Sequence, residues 1–593
     1  MAEFLVIRAL TSGAPSCLNQ KQNHTPMKFP LSALALASLA LPHVSHAELT
    51  FLGGASLPDG GEIVSYANGN VFTTNSGTSH AIQGYSLSSS GAFTPNLSVD
   101  LNGVFGGAAN IYSVSSVYAD ARGFGVATVI PMAKGMSDFG RIAIFDTTSG
   151  AILKTLDVGY HPDSVTISGD GTRLLIANEA EYGSTSSTVA EEFHRPGSVS
   201  VVNISSVTAG NYSSAISALT SASVSTYDFS PGNLGSGVSI DGLRNPRLDT
   251  TTVKSPNIAD IEPEYITATA TDAYITLQEA NAIAVLNFET GKYTAIHKLG
   301  SITKVIDASD RDGAGASTSI SITSSVRGLP MPDTITKFSR GGKIYLATAN
   351  EGDARPDDGD ILRASQQGTL VNGSIAPSID SSVLPSVTNT GIGRLNILKD
   401  QGDTDGDGDI DQPTAMGTRG FSIWDSETGE LVFDSGSMIE EWVASNDPST
   451  FNINSGSTSN VDTRSDDKGP EIEAIAFGSI DGRDYLFVGA ERQNGIFQID
   501  ITDLNAAAIV GYFNTVSSTL DSGGAFISPE SIVFLSALES PTGAPMLLIG
   551  DEGTGGNGSL LALGVTAAAV PEPSTYALIG LGVFAFLRFR GKK

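Results

Sequence analysis

The chain has 593 residues and a strongly unbalanced charge: 63 acidic against 33 basic side chains give a formal net charge of −30. Such a protein is a poor partner for nucleic acid or an anionic lipid surface, whereas bound cations and solubility outside a cell suit it. The alternative is a solvated acidic surface, which accounts for most of the excess of acidic residues without any bound cation. Charged residues are only 16% of the composition, and the length allows one large repetitive domain.

The N-terminal region carries the three parts of a secretory signal peptide. They are a basic start, an apolar stretch too short to span a membrane, and small residues before the cleavage point: Lys28, residues 29–41, and Ser45 with Ala47. This order predicts that residues 27–47 are a signal peptide removed before Glu48. The chain is therefore predicted to be exported.

Residues 1–26 lie upstream of this signal, and we interpret them as the product of a start codon placed too early. The single cysteine, Cys17, lies in this segment. The exported protein would then contain no cysteine, so its core or bound metal ions must stabilise it without disulfides.

A short motif, proline followed by an acidic residue, opens a β-like run at five places in the chain. It stands at Pro162-Asp163, Pro263-Glu264, Pro332-Asp333, Pro470-Glu471 and Pro529-Glu530. A second acidic residue follows one hairpin later each time: Glu179, Glu279, Glu351, Glu491 and Glu552. Such internal repeats indicate a fold built from similar modules.

The repeats contain short alternating strands joined by tight turns, such as Gly169-Asp170-Gly171-Thr172, which indicates an all-β repeat fold. Two further hairpins precede the first motif, so the modules number seven. The last module lacks one strand, which residues 48–57 can supply. The sequence therefore predicts a seven-bladed β-propeller over residues 48–566, in which the N-terminal strand completes the last blade.

The geometry of an antiparallel blade places the start of its first strand and the end of its second strand at the same end. The first strand lines the central channel, so the acidic residues are predicted to converge at one channel mouth. They are Glu62, Asp163, Glu179, Glu264, Glu279, Asp333, Glu351, Glu471, Glu491, Glu530 and Glu552. Carboxylates at this density repel one another unless cations neutralise them or some are protonated, and calcium prefers oxygen ligands. The alternative is that these residues serve turns and packing.

Blade five is interrupted by an insertion, residues 352–418, that must emerge on the acidic face. Its carboxylates are Asp353 and, at alternate positions, Asp403, Asp405, Asp407, Asp409 and Asp411, with Gly408 at the sharp turn. The alternating spacing is typical of a calcium loop, although Thr414 occupies the twelfth position, where a bidentate acid normally closes the site. A solvated acidic loop is the alternative. A second candidate with weaker spacing covers residues 307–313.

Four basic residues lie near the same predicted mouth: Arg355, Arg464, Lys468 and Arg492. They either hold a phosphate or carboxylate group of a ligand or act as counter-ions for the acidic residues. The histidines after the leader show no zinc-ligand spacing, and the sequence contains no phosphate-binding glycine loop and no nucleophile elbow. Chemistry by a histidine triad or a nucleotide cofactor is therefore not expected.

The C-terminal segment, residues 570–593, has three parts. Val570-Pro571-Glu572-Pro573 precedes an apolar run over residues 576–587, and a basic tail over residues 588–593 follows. The apolar run of 12 residues is shorter than the roughly 20 that a stable span needs. This arrangement resembles the PEP-CTERM sorting signal of Gram-negative bacteria, which implies recognition and removal by an exosortase. An ordinary C-terminal anchor is the alternative.

Several segments together resemble the choice-of-anchor I family, which is related to mesenchyme-specific cell-surface glycoproteins. They cover residues 49–66, 350–355, 402–408, 464–473 and 528–548. The resemblance implies a secreted, propeller-like protein with a surface-sorting tail, and some relatives are labelled alkaline phosphatase or phytase-like. The chain departs from the family at Gly469-Pro470-Glu471-Ile472-Glu473-Ala474, where a second Pro-Glu pair is usual, and at Arg419-Gly420-Phe421-Ser422, where a serine is lost.

Two functions remain open on the sequence. The first is a non-enzymatic, calcium-binding propeller at the cell surface or released from it, with a matrix, polysaccharide or adhesion role. The alternative is a calcium-dependent phosphoesterase, in which channel carboxylates hold the metal that activates water. Its candidate catalytic residues are Glu471, Glu473, Arg355 and Lys468. Expected partners are divalent cations and the exosortase, with no nucleic acid, and with the membrane only through the transient C-terminal segment.

Overall fold

The computed structural model describes residues 47–568 except 58–59, 76–78, 133–137, 181–194, 245–257, 259–260, 316, 355–359, 372–373, 455–459, 518–527 and 555–556. The described residues belong to one compact unit, Ser45–Val570. The predicted signal peptide, the C-terminal sorting segment and Arg355 lie outside the described residues.

The structure consists of antiparallel blades that follow one another along the chain. Before the first blade comes strand β1 (Leu49–Leu57), which belongs to the last blade. Blade one contains β2 (Val64–Ala67), β3 (Asn70–Asn75), β4 (Ala81–Leu87) and β5 (Phe93–Asp100). Blade two has a divided inner strand and contains β6 (Ile111–Ser113), β7 (Val117–Asp120), β8 (Phe124–Pro131), β9 (Arg141–Asp146) and β10 (Ile152–Asp157). Blade three contains β11 (Pro162–Ile167), β12 (Arg173–Asn178), β13 (Ser198–Asn203) and β14 (Val224–Asp228).

Blades four and five are separated by an additional hairpin, and blade five contains the insertion. Blade four consists of β15 (Pro263–Ala268), β16 (Asp272–Leu277), β17 (Ala282–Asn287) and β18 (Lys292–Lys298). The hairpin consists of β19 (Ile302–Ile306) and β20 (Ser324–Leu329). Blade five begins with β21 (Ile335–Arg340) and β22 (Lys343–Asn350). The insertion holds β23 (Ile361–Arg363), β24 (Leu370–Val371), β25 (Ser374–Ile375), β26 (Asn396–Leu398) and β27 (Thr414–Met416).

The remaining strands complete the propeller. Blade five ends with β28 (Gly420–Asp425) and β29 (Leu431–Asp434). Blade six contains β30 (Ile472–Ile480), β31 (Arg483–Ala490), β32 (Gly495–Asp500) and β33 (Ala508–Asn514). Blade seven contains β34 (Pro529–Leu535), β35 (Met546–Thr554) and β36 (Asn557–Val565).

Helices are short. Two α-helices occur among the described residues, α1 (Tyr212–Ser217) and α2 (Met438–Asn446). Single 3₁₀ turns lie at Ala108–Asn110, Ser221–Ser223, Ala364–Gln366, Leu384–Ser386, Ile392–Arg394, Pro448–Thr450, Leu504–Ala506 and Thr515–Ser517. None of the described helices has the length and apolar character needed to cross a membrane.

The ring of blades is closed. The innermost strands contact one another in the order β2, β7, β11, β15, β21, β30 and β34, and β34 contacts β2. Strand β1 pairs with β36 from Leu49 opposite Val565 to Leu57 opposite Gly558, so the N-terminal strand is the outer strand of blade seven. The predicted seven-bladed propeller and its closure are therefore confirmed.

Local turn chemistry explains why the outer hairpins form. In blades two, four and five, the last residue of the third strand accepts a hydrogen bond from a backbone N–H three residues later. The pairs are Asp146 with Ser149, Asn287 with Thr290 and Asp425 with Thr428. A glycine follows with positive φ, for example 73° at Gly150. Glycine adopts this conformation without the steric penalty of a side chain, so the sequence specifies a tight turn.

The hydrophobic core is divided among the interfaces between blades. In the described part of the chain, every pair of neighbouring blades encloses a hydrophobic cluster of its own. Leu548 of blade seven and Val71 of blade one, for example, are both fully buried in the cluster that closes the ring. The insertion has a separate core, in which Leu362 and Ile397 pack with Val326 of β20. Strand β20 also pairs in parallel with β27, so the insertion is joined to the hairpin that the sequence did not predict.

Candidate functional site

The acidic residues at the start of the inner strands lie at interruptions of the strand pairing. In blade three, Pro162 pairs with Asn178 and Ser164 pairs with Ala177, so the strand register shifts at Asp163. The same shift leaves Glu530 unpaired in blade seven and Glu264 in blade four. Such a β-bulge inserts a residue that the ladder does not use and redirects its side chain.

The strand register corrects the predicted motif of blade six. Ile472 pairs with Ala490 and Ala474 pairs with Gly489, so Glu473 is the bulged residue. Thr334 of blade five donates to the carbonyl of Glu473, as Ser164 donates to the carbonyl of Glu264 at 2.6 Å. The predicted inner acidic residue of blade six, Glu471 of the Pro470-Glu471 motif, is therefore wrong by two residues. In this blade the strand pairing begins at Ile472, two residues after the proline.

One cavity of about 340 Å³ is lined by the inner acidic residue of six blades. They are Glu62, Asp163, Glu264, Asp333, Glu473 and Glu530. Four more carboxyl side chains reach the same cavity from the ends of second strands and beyond: Glu179, Glu279, Glu351 and Asp353. Among the described residues, blade two contributes no acidic residue to this lining. Glu471, Glu491 and Glu552 are not part of the lining, although all three neighbour it.

Burial and mutual repulsion disfavour ionisation of the inner carboxyl groups. Burial, followed by the charges of Glu179 and Glu279, raises the pKa of Glu264 well above its ordinary value. The pKa values of Asp333, Glu473 and Glu530 are likewise raised well above normal, mainly by burial and then by neighbouring carboxylates. At neutral pH these groups must be protonated or be neutralised by a cation.

The outer carboxylates have protein cations as partners. Lys468 contacts Glu351, and its Nζ lies 3.8 Å from Glu471. Arg464 contacts one oxygen of Glu471, and Arg492 Nε lies 2.9 Å from the other. Arg492 also lies 2.7 Å from Glu491 and 3.8 Å from Glu552. These contacts agree with the counter-ion interpretation of the basic residues.

Four of the inner carboxyl groups lack such cationic partners in the described part of the chain. Among the described residues, no lysine or arginine forms an ion pair with Glu264, Asp333, Glu473 or Glu530. One oxygen of Glu473, Oε2, is buried and has no hydrogen-bond partner in the described part of the chain. Within the described residues, the protein thus neutralises the outer carboxylates itself and provides no counter-charge for these four inner ones.

Two groups, each of two inner carboxylates and one outer carboxylate, have the geometry of a metal site. Asp333, Glu351 and Glu473 each offer one oxygen within 4.8 Å of the others, and Glu473, Glu491 and Glu530 do the same. The groups share Glu473. A third group, Glu351 with Glu471 and Glu491, is equally close, but Lys468, Arg464 and Arg492 already occupy it. Carboxylate oxygens at such separations are the ligands that calcium prefers.

The acidic loop of the insertion gathers three of its five aspartates. Oxygens of Asp403, Asp405 and Asp411 lie within 4.8 Å of one another. The backbone N–H groups of Gly406 and Gly408 donate to Asp403 at 2.7 and 3.1 Å, which holds the loop around this carboxylate.

The other two aspartates and the end of the loop are held differently. Asp407 accepts from the N–H of Asp409, and Asp409 Oδ1 is buried without a hydrogen-bond partner among the described residues. The loop is anchored by Ile410, whose N–H donates to the Ser378 carbonyl at 2.8 Å. Thr414 lies in β27, and its hydroxyl donates to the Gln412 carbonyl, so it does not close the loop.

In the second candidate calcium segment, residues 307–313, two of the carboxylates bind other groups of the protein. Asp307 accepts from the N–H of Ser321 at 2.5 Å, and Asp310 binds Arg394 at 2.8 Å. Asp462, which the sequence analysis did not single out, accepts from the N–H of Ser319 at 2.8 Å. Burial raises the pKa of Asp307 to about 6 and that of Asp462 to about 8. The prediction of a metal in residues 307–313 is not supported by this geometry.

Sequence analysis also missed a histidine at the cavity. His161 lines it, and its Nδ1 lies 3.6 Å from Oε2 of Glu179. The only available signal was its position directly before Pro162, where the chain turns into β11 with a φ of 46°.

Comparison with known proteins identifies the family. The family model of the choice-of-anchor I domain matches residues 62–504. The chain belongs to this family. The PEP-CTERM protein-sorting motif matches residues 569–593. This choice-of-anchor I protein is therefore exported, sorted by an exosortase, processed at its C-terminus and displayed at the cell surface.

Similar proteins occur in animals. Gigasin-3a of Magallana gigas is 34% identical over 188 residues, which are 29% of this chain and 65% of that protein. A mesenchyme-specific cell surface glycoprotein of Strongylocentrotus purpuratus is 25% identical over 208 residues, 30% of this chain and 27% of that protein. The match thus spans less than two thirds of either relative.

Solved structures resemble the chain only distantly. Kuenenia stuttgartiensis hydrazine synthase has a TM-score of 0.40 at 10% identity, with 86% of this chain and 97% of that chain covered. The C-terminal WD40 domain of Sif2 has a TM-score of 0.37 at 10% identity, with 87% and 98% covered.

Proposed function

We propose that this surface-displayed propeller binds calcium at the channel mouth and at the acidic loop, and that it serves binding or adhesion in an extracellular matrix. The observation that carries the proposal is the cavity lined by acidic residues of six blades, four of which have no protein cation as partner in the described chain. A divalent cation would relieve the repulsion that raises their pKa values. A cell-surface role also suits the name of one relative, a mesenchyme-specific cell surface glycoprotein.

The residues that would hold an ion at the mouth are the inner Asp333, Glu473 and Glu530. Glu351 and Glu491, which also contact Lys468 and Arg492, would each complete one group. The residues that would hold an ion in the loop are Asp403, Asp405 and Asp411. Bound calcium would fasten blades five, six and seven to one another at the channel, because the two mouth groups draw ligands from all three. Such an ion replaces the cross-links that a chain without cysteine after residue 17 cannot make.

Thermal unfolding of the exported protein with and without calcium tests the proposal. Calcium at about 100 times its dissociation constant should stabilise the protein by about 2.7 kcal/mol per site, and a chelator should remove the gain. Glu473→Gln should abolish the part of this gain due to the mouth, because both groups share Glu473. The matched control is Glu430→Gln, an exposed turn residue of blade five, which should leave the gain unchanged.

A melting temperature that neither calcium nor chelator changes would contradict the proposal. If calcium stabilised the parent protein and the Glu473→Gln variant equally, the proposed calcium site at the channel mouth would be contradicted. Direct calcium titration by calorimetry provides the number of ions and separates the loop from the mouth.

The phosphoesterase alternative stays a prediction. It would require Glu471 and Lys468 to be available for chemistry, whereas Glu471 is held by Arg464 and Arg492 and Lys468 is held by Glu351. We therefore propose binding and not hydrolysis. Calcium-dependent hydrolysis of a chromogenic phosphate ester, lost in Glu473→Gln, would favour the enzyme.

A further inference from the structure

A second cavity, of about 530 Å³, lies away from the channel mouth, between the β19–β20 hairpin and the insertion. Its walls are formed by residues of β20, by the 3₁₀ segments near Ser386 and Ile392, and by Asp411, Gln412 and Pro413 at the end of the acidic loop. This volume is within the range of small-molecule binding sites. Nothing in the proposed function uses it.

Among the described residues, the one cation in the cavity wall is Arg327, the fourth residue of β20. Its Nε donates to Ser301 Oγ at 3.0 Å, and its Nη1 donates to Gln412 Oε1 at 2.8 Å. Both acceptors are neutral, and in the described chain Arg327 has no carboxylate within ion-pair distance. In a protein with about two acids for each base, a guanidinium held in place without a counter-charge is available for an anion from outside.

The remaining polar lining consists largely of hydroxyl groups. They belong to Thr303, Thr323, Ser324, Ser325, Ser386 and Thr388. Ser386 already donates to the Val383 carbonyl at 2.7 Å and Thr323 to the Ser321 carbonyl at 3.4 Å, so these two hydroxyls would accept from a ligand. The other hydroxyls can both donate and accept, which is the hydrogen-bonding capacity that a ligand covered with hydroxyl groups requires. Val326, Val383, Ile392 and Pro413 add apolar surface to the lining. The apolar C–H face of a sugar ring can pack against such surface while its hydroxyl groups form hydrogen bonds.

The cavity is joined to the acidic loop by backbone pairing. Arg327 pairs with Thr414, the residue at the twelfth loop position, and its guanidinium is held by Gln412. Asp411 belongs both to the cavity wall and to the group of three loop aspartates. Ordering of the loop by an ion would therefore also order one wall of the cavity.

We propose that this cavity binds an acidic oligosaccharide, with Arg327 holding the carboxylate of a uronic acid unit and the serine and threonine hydroxyls holding the sugar ring. A free phosphate or sulfate would satisfy Arg327 but would leave the hydroxyl lining unused. Calcium in the loop strengthens binding by fixing Gln412 and Asp411, and this part alone rests on the proposed function.

Calorimetric titration of the exported protein in 0.15 M salt, with and without calcium, tests the assignment. The probes are trigalacturonate, maltotriose as an uncharged sugar of the same size, and inorganic phosphate. Trigalacturonate should bind at least tenfold more tightly than either of the others. Arg327→Gln should weaken trigalacturonate binding at least tenfold, whereas Arg340→Gln, which removes a guanidinium paired with Asp484 at 2.7 Å on blade five, should change it less than twofold.

Circular dichroism and thermal melting establish that both variants are folded, and Arg327→Lys provides a variant that keeps the charge and should retain part of the affinity. Equal affinity of Arg327→Gln and the parent protein would overturn the proposal. Tight phosphate binding without a preference for trigalacturonate would overturn the sugar assignment. Binding that is lost in Arg327→Gln but insensitive to calcium would overturn only the coupling to the loop, and it would leave calcium binding at the channel mouth unaffected.

Discussion

Asp551 differs from the residues at its position in other blades. It pairs with Pro529 in blade seven, as Asn178 pairs with Pro162 in blade three. Asn178 Nδ2 donates to Ser200 Oγ at 3.0 Å, which a carboxylate cannot do. Asp551 is fully buried, and it accepts from Ser559 at 2.8 Å while its Oδ1 has no hydrogen-bond partner among the described residues.

The pKa of Asp551 makes this position a test of pH-dependent stability. Burial raises its pKa to about 8 in the folded protein, whereas it is about 3.9 in an unfolded chain. The unfolded chain therefore releases this proton first, and the contribution of Asp551 to stability falls from about pH 4 to about pH 8 and is constant above that. The loss approaches about 1.4 kcal/mol per pH unit.

Asp551→Asn should remove this dependence. The melting temperature of the variant should exceed that of the parent protein by an amount that grows from pH 5 to pH 8. Asp241→Asn, on an exposed turn, is the matched control and should show no such trend. A constant difference across this pH range would show that Asp551 is ionised throughout.

At the scale of single elements, some carboxylates of the acidic loop lie close enough together to share an ion, and others do not. Asp405 belongs to the group of three whose oxygens are within 4.8 Å, whereas Asp407 does not. Both residues are exposed, so neither substitution disturbs a core. Calcium affinity depends on the number of charged ligands, so the two positions should respond differently.

Asp405→Asn should weaken calcium binding to the loop at least tenfold, and Asp407→Asn should weaken it much less. Calcium titration by calorimetry measures both, with the mouth site as an internal reference that neither substitution should alter. Equal effects of the two substitutions would indicate that the loop attracts calcium only by its total charge.

The closed ring makes stability a property of the whole molecule. In the described part of the chain, every blade shares hydrophobic clusters with two neighbours, and Leu57 of β1, the strand that pairs with β36, is buried in the cluster between blades seven and one. Leu548 is fully buried in that cluster, whereas Leu538 in the same blade is 99% exposed.

Leu548→Ala should destabilise the propeller by about 2–5 kcal/mol, because it leaves a cavity at the interface that closes the ring. Leu538→Ala, the same substitution at the surface, should change stability by less than about 0.5 kcal/mol. Urea unfolding of both variants provides the comparison. Similar midpoints for the two would show that this interface does not hold the ring together.

Prediction from sequence worked where the signal was local. The turn at Gly169-Asp170-Gly171-Thr172, the alternating strands and the repeated Pro-acid motif each depend on residues close together in the chain, and together they define seven modules. The site was predicted less completely. The position of Glu473 depends on how β30 pairs with β31, and the paired state of Glu471 depends on Arg464 and Arg492, which approach it only in the folded chain.

The sequence by itself determined the fold class, the number of blades, the closing strand, the sorting tail and the set of acidic residues that could meet, because periodicity and turn chemistry are properties of neighbouring residues. Only the tertiary structure decided which carboxylates receive a protein cation and which face the cavity without one. It also decided that Arg327 lies beside the acidic loop. These relations join residues far apart in the chain, and strand register and packing between blades determine them.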